Sequence, residues 1–280
     1  MRIVVTGGSG FLGQELIQLL MSMGHKVINV DMVPSVLPGI EEHLVDLTYD
    51  YPKIKCDFCF HLASGAGGIL FNQNEDIITY NDKMNKNVLS MCSDVPLVFI
   101  SSANVFEGLD NIYQRLSPVT FYAKSKLSGE RFFYNNKRTN LHIVRSTNIF
   151  GKSQINRFTK YGESHVIPDI INKINSDSST LEVWGDGTQM RNFIHVHDLC
   201  NYLSSLLREF FYTNLYNNIC SSITISISEL IEELLNFSHK NKIIVYKDSY
   251  MQYEKIRIDN FIKDLYNIGT ISTIKEGLLV

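Results

Sequence analysis

Ile3-Val4-Val5 forms an apolar run inside Arg2–Thr6, and after a group of glycines come Leu12, Leu16, Leu19, Leu20 and Met23. The β-branched run predicts a buried strand, and the three-to-four spacing of the leucines predicts a helix over Phe11–Met23. Lys26–Val30 repeats the strand signal and completes a βαβ unit. Strand-like runs at Asp57–Leu62, Leu97–Ser101 and Leu141–Arg145 then alternate with helical-period stretches near Ile69–Cys92 and Phe121–Lys137. Continuous apolar strands between helices are the pattern of a parallel sheet covered on both faces. The predicted class is α/β, a doubly wound, Rossmann-like parallel sheet.

After Gly151 the alternation lapses. A polar stretch (Lys152–Glu163), a helix (His165–Asn175) and a strand (Leu181–Trp184) lead to a Gly185-Asp186-Gly187 turn, with Asn175–Thr180 read as a surface loop. Val196–Leu207 reads as a helix, Leu215–Ile219 as a strand and Ile227–Phe237 as a helix. The expected organisation is a first domain over residues 1–150, which about 194–220 rejoins. Residues 151–193 and 221–280 are expected to form a smaller substrate-binding subdomain.

The chain of 280 residues is long enough to bury a full core, and its 26 Lys+Arg against 29 Asp+Glu give no basic footprint for nucleic acid. No apolar run reaches the roughly 18 residues of a membrane span, and the N-terminus passes straight into the first strand, so neither span nor signal peptide is expected. Five cysteines, an odd number, argue against a disulfide framework and for the cytoplasm.

Gly7, Gly10 and Gly13 lie between the first strand and its helix. There they permit a tight turn, close approach of backbone to a pyrophosphate, and unpaired N–H groups at the helix N-terminus. Phe11 and Leu12 belong to the same dinucleotide loop. Asp31 closes the second strand 18 residues after Gly13, where a carboxylate accepts from ribose hydroxyls and repels a 2′-phosphate; NAD is expected over NADP. Asp46 and Leu47 are candidates for the adenine edge. Leu62 and Ala63, after His61, lie where a cofactor crosses the strand ends.

Tyr122 and Lys126 are four apart on a predicted helix and share one face. An ammonium beside the phenol, with the positive nicotinamide, is expected to lower the phenol pKa towards neutrality for proton exchange with a sugar hydroxyl. Ser102, at the end of a buried strand, is placed to orient the substrate oxygen. Tyr49/Lys53 and Tyr51/Lys55 share the spacing, but Pro52 interrupts both.

The glycine loop, His61-Leu62-Ala63, Ser101-Ser102-Ala103-Asn104-Val105-Phe106 and Tyr122-Ala-Lys-Ser-Lys126 occur in that order. They are followed by Arg145-Ser-Thr-Asn148-Ile-Phe-Gly151, then Trp184-Gly-Asp-Gly-Thr-Gln-Met-Arg191 through Asp198, then Arg257-Ile-Asp259. In these motifs the chain resembles the extended short-chain dehydrogenase/reductase family of NAD-dependent nucleotide-sugar epimerases, dehydratases and reductases. The resemblance implies Ser102, Tyr122 and Lys126 as catalytic, Asn81 as support for the nicotinamide ribose, and Asn148 and Arg191 as holders of the sugar nucleotide. It also implies a homodimer through the helices near Asn72–Cys92 and Phe121–Lys137, and the apolar stripe Ile77, Tyr80, Met84, Val88 and Met91 is wider than a solvent-facing helix needs. Gly65–Ile69 and Ser164–Pro168 resemble the GDP-fucose synthase branch, with His165 at its acid/base histidine and Asn104, at the substrate, where that branch has a cysteine.

Ala103 and Asn104 replace the acidic pair of the 4,6-dehydratases, so dehydration is disfavoured, and without the thiol a 3,5-epimerase keeps only His165. What remains is hydride transfer at C4 of a nucleotide-diphosphate sugar, as epimerase or 4-keto reductase. The alternatives are a GDP-fucose synthase-like 3,5-epimerase/4-reductase and a non-catalytic NAD-sensing regulator. Cys56 and Cys59 read as buried packing residues. His195-Val-His197-Asp198 reads as a strand end with Asp198 starting a helix, and no metal is expected. Lys255 and Arg257 could meet a phosphate from one face of a short strand.

Overall fold

Strands with no solvent-facing side form the centre of the molecule. The computed structural model describes residues 1–65, 74–109, 111–136, 140–152, 165–208, 214–247 and 264–279. Eight parallel strands make one sheet: β1 (Arg2–Thr6), β2 (Lys26–Asp31), β3 (Glu41–Leu44), β4 (Phe58–His61), β5 (Leu97–Ser102), β6 (Leu141–Ser146), β10 (Leu215–Cys220) and β13 (Tyr266–Asn267). Their order is β13-β10-β6-β5-β4-β1-β2-β3. The direction of winding reverses between β1 and β4, and their carboxyl ends part into the crevice where such sheets bind ligands.

Helices α1 (Phe11–Ser22) and α5 (Val196–Ser205) cover one face through Leu16, Ile17, Leu20, Leu199 and Leu203. Helices α2 (Asp76–Met91) and α3 (Phe121–Asn136) cover the other over Phe99, with Met84, Val88 and Phe133 pointing inward. The stripe on α2 therefore serves the chain's own core. Ile77, Met84 and Val88 are buried and Met91 packs on the same cluster, which leaves Tyr80 as its exposed member.

A second core lies beyond the carboxyl ends of the strands. It contains β7 (Asn148–Phe150), β9 (Met190–His195) and β11 (Ile223–Ser226) in one small sheet, and the parallel pair β8 (Thr180–Trp184) and β12 (Ile243–Lys247). Helices α4 (Val166–Asn175), α6 (Ile227–Ser238) and α7 (Ile274–Leu279) close it around Phe150, Ile170, Leu230, Leu234 and Leu278. Ser226 and Glu229 start α6 with a reciprocal capping box.

Several strands escaped the hydrophobic pattern because they are short or half-polar. β3 reads Glu-Glu-His-Leu at the sheet edge, and β9 begins Met-Arg-Asn before its apolar residues. Helix α5 starts at Val196 as expected, but its cap is His195 and not Asp198: His195 Nδ1 accepts from the His197 amide at 3.3 Å. Asp198 instead pins the segment before α7, accepting from the amides of Thr270 (3.0 Å) and Ile271 (3.2 Å) and from the Thr270 hydroxyl (2.5 Å). Lys255, Arg257, Asp259, Ser164 and residues 66–69 lie outside the described residues.

Candidate active site

The crevice floor is a directed hydrogen-bond chain. Burial lowers the His61 imidazole to a pKa of about 4, so the ring is neutral at physiological pH. Asn85 Oδ1 only accepts, at 2.9 Å, so His61 Nε2 donates to it; His61 Nδ1 then accepts from the Thr6 hydroxyl at 2.7 Å. Thr6 Oγ1 also accepts from the Ala63 amide at 3.3 Å, locking the ends of β1 and β4 together.

The glycine loop lies on this floor, and its fit to a dinucleotide can be tested by adding methyl groups. Gly7 has φ +71°, and a Cβ there would come within 2.6 Å of the Ala63 nitrogen; a Cβ on Gly13 would come within 2.3 Å of the Gly7 carbonyl oxygen. Only glycine allows backbone this close. Gly10 is the N-cap of α1 with no side-chain cap, so Phe11, Leu12 and the first turn direct backbone N–H groups towards an anion. Asp31 accepts from the Ser9 amide (3.0 Å) and the Val33 amide (3.1 Å), one per carboxylate oxygen, which leaves each a further lone pair for a ribose hydroxyl. The residues present fit a dinucleotide.

Other cofactor candidates divide. Asn81 is buried and binds Gly65 in both directions, accepting from its amide at 2.7 Å and donating to its carbonyl at 3.3 Å, while also donating to Ser125 at 2.7 Å. It supports the loop after β4 and the residue before Lys126. Leu62 is half-buried against the core beside Ala63. Asp46 closes a local turn with the Thr48 amide and hydroxyl (2.8 and 2.7 Å), and the Leu47 side chain is buried in the core, leaving only its backbone for an adenine.

The structure brings Ser102, Tyr122 and Lys126 together. The Ser102 hydroxyl is hydrogen-bonded to the Tyr122 phenol, and Lys126 Nζ lies 5.8 Å from the centre of the Tyr122 ring. The phenol pKa departs from expectation: in the protein itself it is pushed up to about 12, because burial outweighs the Ser102 bond and the Glu107 charge adds to the rise. Lys126 does not donate to the phenol. Its Nζ donates to the Ile100 carbonyl at 3.0 Å, and burial lowers its own pKa to about 8, against the raising effect of Glu130.

Two carboxylates were missed in the sequence. Glu130, one turn beyond Lys126, accepts from Ser101 (2.5 Å) and from Arg145 Nε and Nη2 (2.9 and 2.6 Å) in a buried network. Its i,i+4 spacing from Lys126 could have found it. Glu107 had no such signal. Around the substrate side, Arg191 on β9 is held near Glu107 electrostatically, and Asn148 Nδ2 donates to the Asn192 carbonyl at 2.9 Å. The Asn104 amide donates to Ser102 Oγ at 3.2 Å. His165 opens α4; it retains solvent-accessible surface, yet protein packed around the imidazole keeps its pKa below the ordinary value, favouring the neutral, basic form. None of the five cysteines forms a disulfide; Cys59 is buried as expected, while Cys56 is only partly so and its thiol is hydrogen-bonded to that of Cys92.

The family model described as NAD dependent epimerase/dehydratase family matches residues 3–217. A dTDP-4-dehydro-6-deoxy-D-allose reductase of a Streptomyces species is 25% identical over 232 residues, covering 70% of this chain and 69% of the relative. GDP-mannose 3,5-epimerase 1 of Oryza sativa subsp. indica is 27% identical over 226 residues, covering 71% of this chain and 59% of the relative. The crystal structure of a Thermotoga maritima UDP-glucose 4-epimerase with UDP-glucose superposes with a TM-score of 0.80 at 19% identity, covering 99% of this chain and 96% of the other, a likeness of fold.

Proposed function

The chain belongs to the NAD dependent epimerase/dehydratase family, and from that premise we propose that it catalyses hydride transfer at C4 of a nucleotide-diphosphate sugar. The observation that carries the reading is the Ser102–Tyr122–Lys126 group at the carboxyl end of β5, beside a glycine cradle that fits a dinucleotide. NAD, when bound, exchanges a hydride with the sugar ring carbon. Tyr122 exchanges the proton on the oxygen of that carbon, Ser102 holds the oxygen, and the Lys126 charge favours the phenolate whenever it forms. Arg191 and Asn148 are assigned to the nucleotide diphosphate.

Of the two C4 outcomes, a phenol pKa raised to about 12 favours keto reduction, because the protonated form is the one that a reduction consumes. Epimerisation asks Tyr122 to act as base first. The branch with proton exchange at C3 or C5 rests on His165 as its base. A homodimer across α2 and α3 and a cytosolic setting, in keeping with five cysteines outside any disulfide, belong to the same reading. Among the described residues no helix is long and apolar enough to cross a membrane.

The test is a panel of UDP-, GDP-, dTDP- and CDP-hexoses and their 4-keto derivatives with NAD or NADH, reading the sugar products by NMR. A C4 epimer without net cofactor change indicates the epimerase, and stoichiometric loss of NADH the reductase. No conversion of any member would remove the proposal.

A further inference from the structure

Glu107 follows the short 3-10 turn Ala103–Phe106 that Ser102 caps, and only 5% of its surface is exposed. Its side chain crosses to the segment immediately before α3. Oε2 accepts from the Val119 amide (3.1 Å) and the Thr120 amide (2.9 Å), and Oε1 accepts from the Thr120 hydroxyl (2.8 Å). Thr120 in turn caps α3: its Oγ1 accepts from the Ala123 amide at 3.3 Å, and its carbonyl oxygen accepts from the Lys124 amide at 3.0 Å.

Glu107 follows Ser102 by five positions and Tyr122 follows Thr120 by two. The carboxylate therefore closes a small loop whose other junction is the hydrogen bond between the Ser102 and Tyr122 hydroxyls. A helix cap needs no second carboxylate behind its threonine, and burying one costs free energy that three donors only partly return. We propose that Glu107 is a positioning residue, clamping the start of α3 to the turn after Ser102 so that the Ser102 and Tyr122 hydroxyls stay in register for proton transfer. This rests on reading those two hydroxyls as the reacting pair.

The clamp has an electrostatic consequence. Tyr122 faces the Ser102 hydroxyl from β5, the Lys126 ammonium from its own helix and the Glu107 carboxylate from the turn, while Arg191 on β9 faces Glu107. The Glu107 charge opposes the phenolate, so Glu107 places Tyr122 and adds to the effect of burial, which chiefly keeps the phenol protonated.

The experiment titrates phenolate absorbance in the near ultraviolet on the NAD-loaded protein, subtracting Tyr122→Phe to isolate the Tyr122 curve. Alongside it, hydrogen exchange is followed at the amides of residues 119–124. Glu107→Gln should move the Tyr122 curve to lower pH and speed exchange at those amides. Glu107→Asp, which keeps the charge on a shorter arm, should speed exchange and leave the curve closer to that of the parent. If Glu107→Gln does not fold, Glu107→Asp supplies the exchange readout, and unchanged exchange in it overturns the clamp. An unmoved curve together with unchanged exchange in Glu107→Gln overturns the clamp. Full hydride transfer by Tyr122→Phe would instead overturn the assignment of the reacting pair, a separate failure.

Discussion

Replacing Lys126 by methionine tests whether the ammonium beside Tyr122 is held at a cost. Burial lowers the Lys126 pKa from 10.5 to about 8, a gap worth ~3 kcal/mol at ~1.4 kcal/mol per tenfold change in proton affinity. The sign follows from proton counts. Below pH 8 the folded and unfolded chains both hold the proton, and the folded state bears the burial cost. Between pH 8 and 10.5 the unfolded chain holds a proton that the folded chain has released, so stability rises with pH across that window. Lys126→Met removes the window and strands the Ile100 carbonyl, a loss of ~1–3 kcal/mol that largely offsets the relief at neutral pH. Urea denaturation at a series of pH values should show the parent gaining ~3 kcal/mol on the variant between about pH 8 and 10.5. Folded Tyr122, with its pKa pushed up to about 12, titrates above this window. A difference independent of pH would refute the burial of the ammonium beside Tyr122.

Calorimetric titration should show NAD binding more tightly than NADP, with Asp31→Asn narrowing the gap; tighter NADP binding by the parent would remove Asp31 from the ribose. Gly7→Ala should cost more than ~1 kcal/mol of stability, since it forces a side chain into a left-handed position 2.6 Å from the Ala63 nitrogen, and should abolish NAD binding by the same titration. His165→Asn should leave a pure C4 reaction nearly intact. Deuterium entering C3 or C5 from solvent, and lost in this variant, would establish instead that the ring is epimerised despite Asn104.

The parts of the fold that sequence patterns exposed are those where one physical requirement dominates. The doubly buried β1, β4 and β5 had to be apolar through their middles, and Gly7 and Gly13 had to lack side chains where backbone meets backbone, so both were visible in the chain. The spacing of Tyr122 and Lys126 identified a pair that the fold unites with Ser102. By contrast β3 and β9 hold their places through pairing and half-polar faces, which leave no periodic trace, and the alternation of β11 lasts only four residues. The apolar stripe of α2 was legible but ambiguous, since a face that fits a partner helix also fits the chain's own core, and there it packs. The direction of the Tyr122 pKa was hidden too: the sequence contains Lys126 and Glu107, but not the burial that chiefly raises the phenol or the fold that brings Glu107 near it.

The most direct test of the central claim is rapid-mixing absorbance of the nicotinamide cofactor when the protein, loaded with NAD or NADH, meets the nucleotide-sugar panel. The parent should interconvert the two cofactor forms with at least one sugar nucleotide. Tyr122→Phe, with NAD affinity unchanged, should do so slower by ~10²–10⁴. Equal rates in the two proteins, or no cofactor change in the parent with any member of the panel, would contradict it.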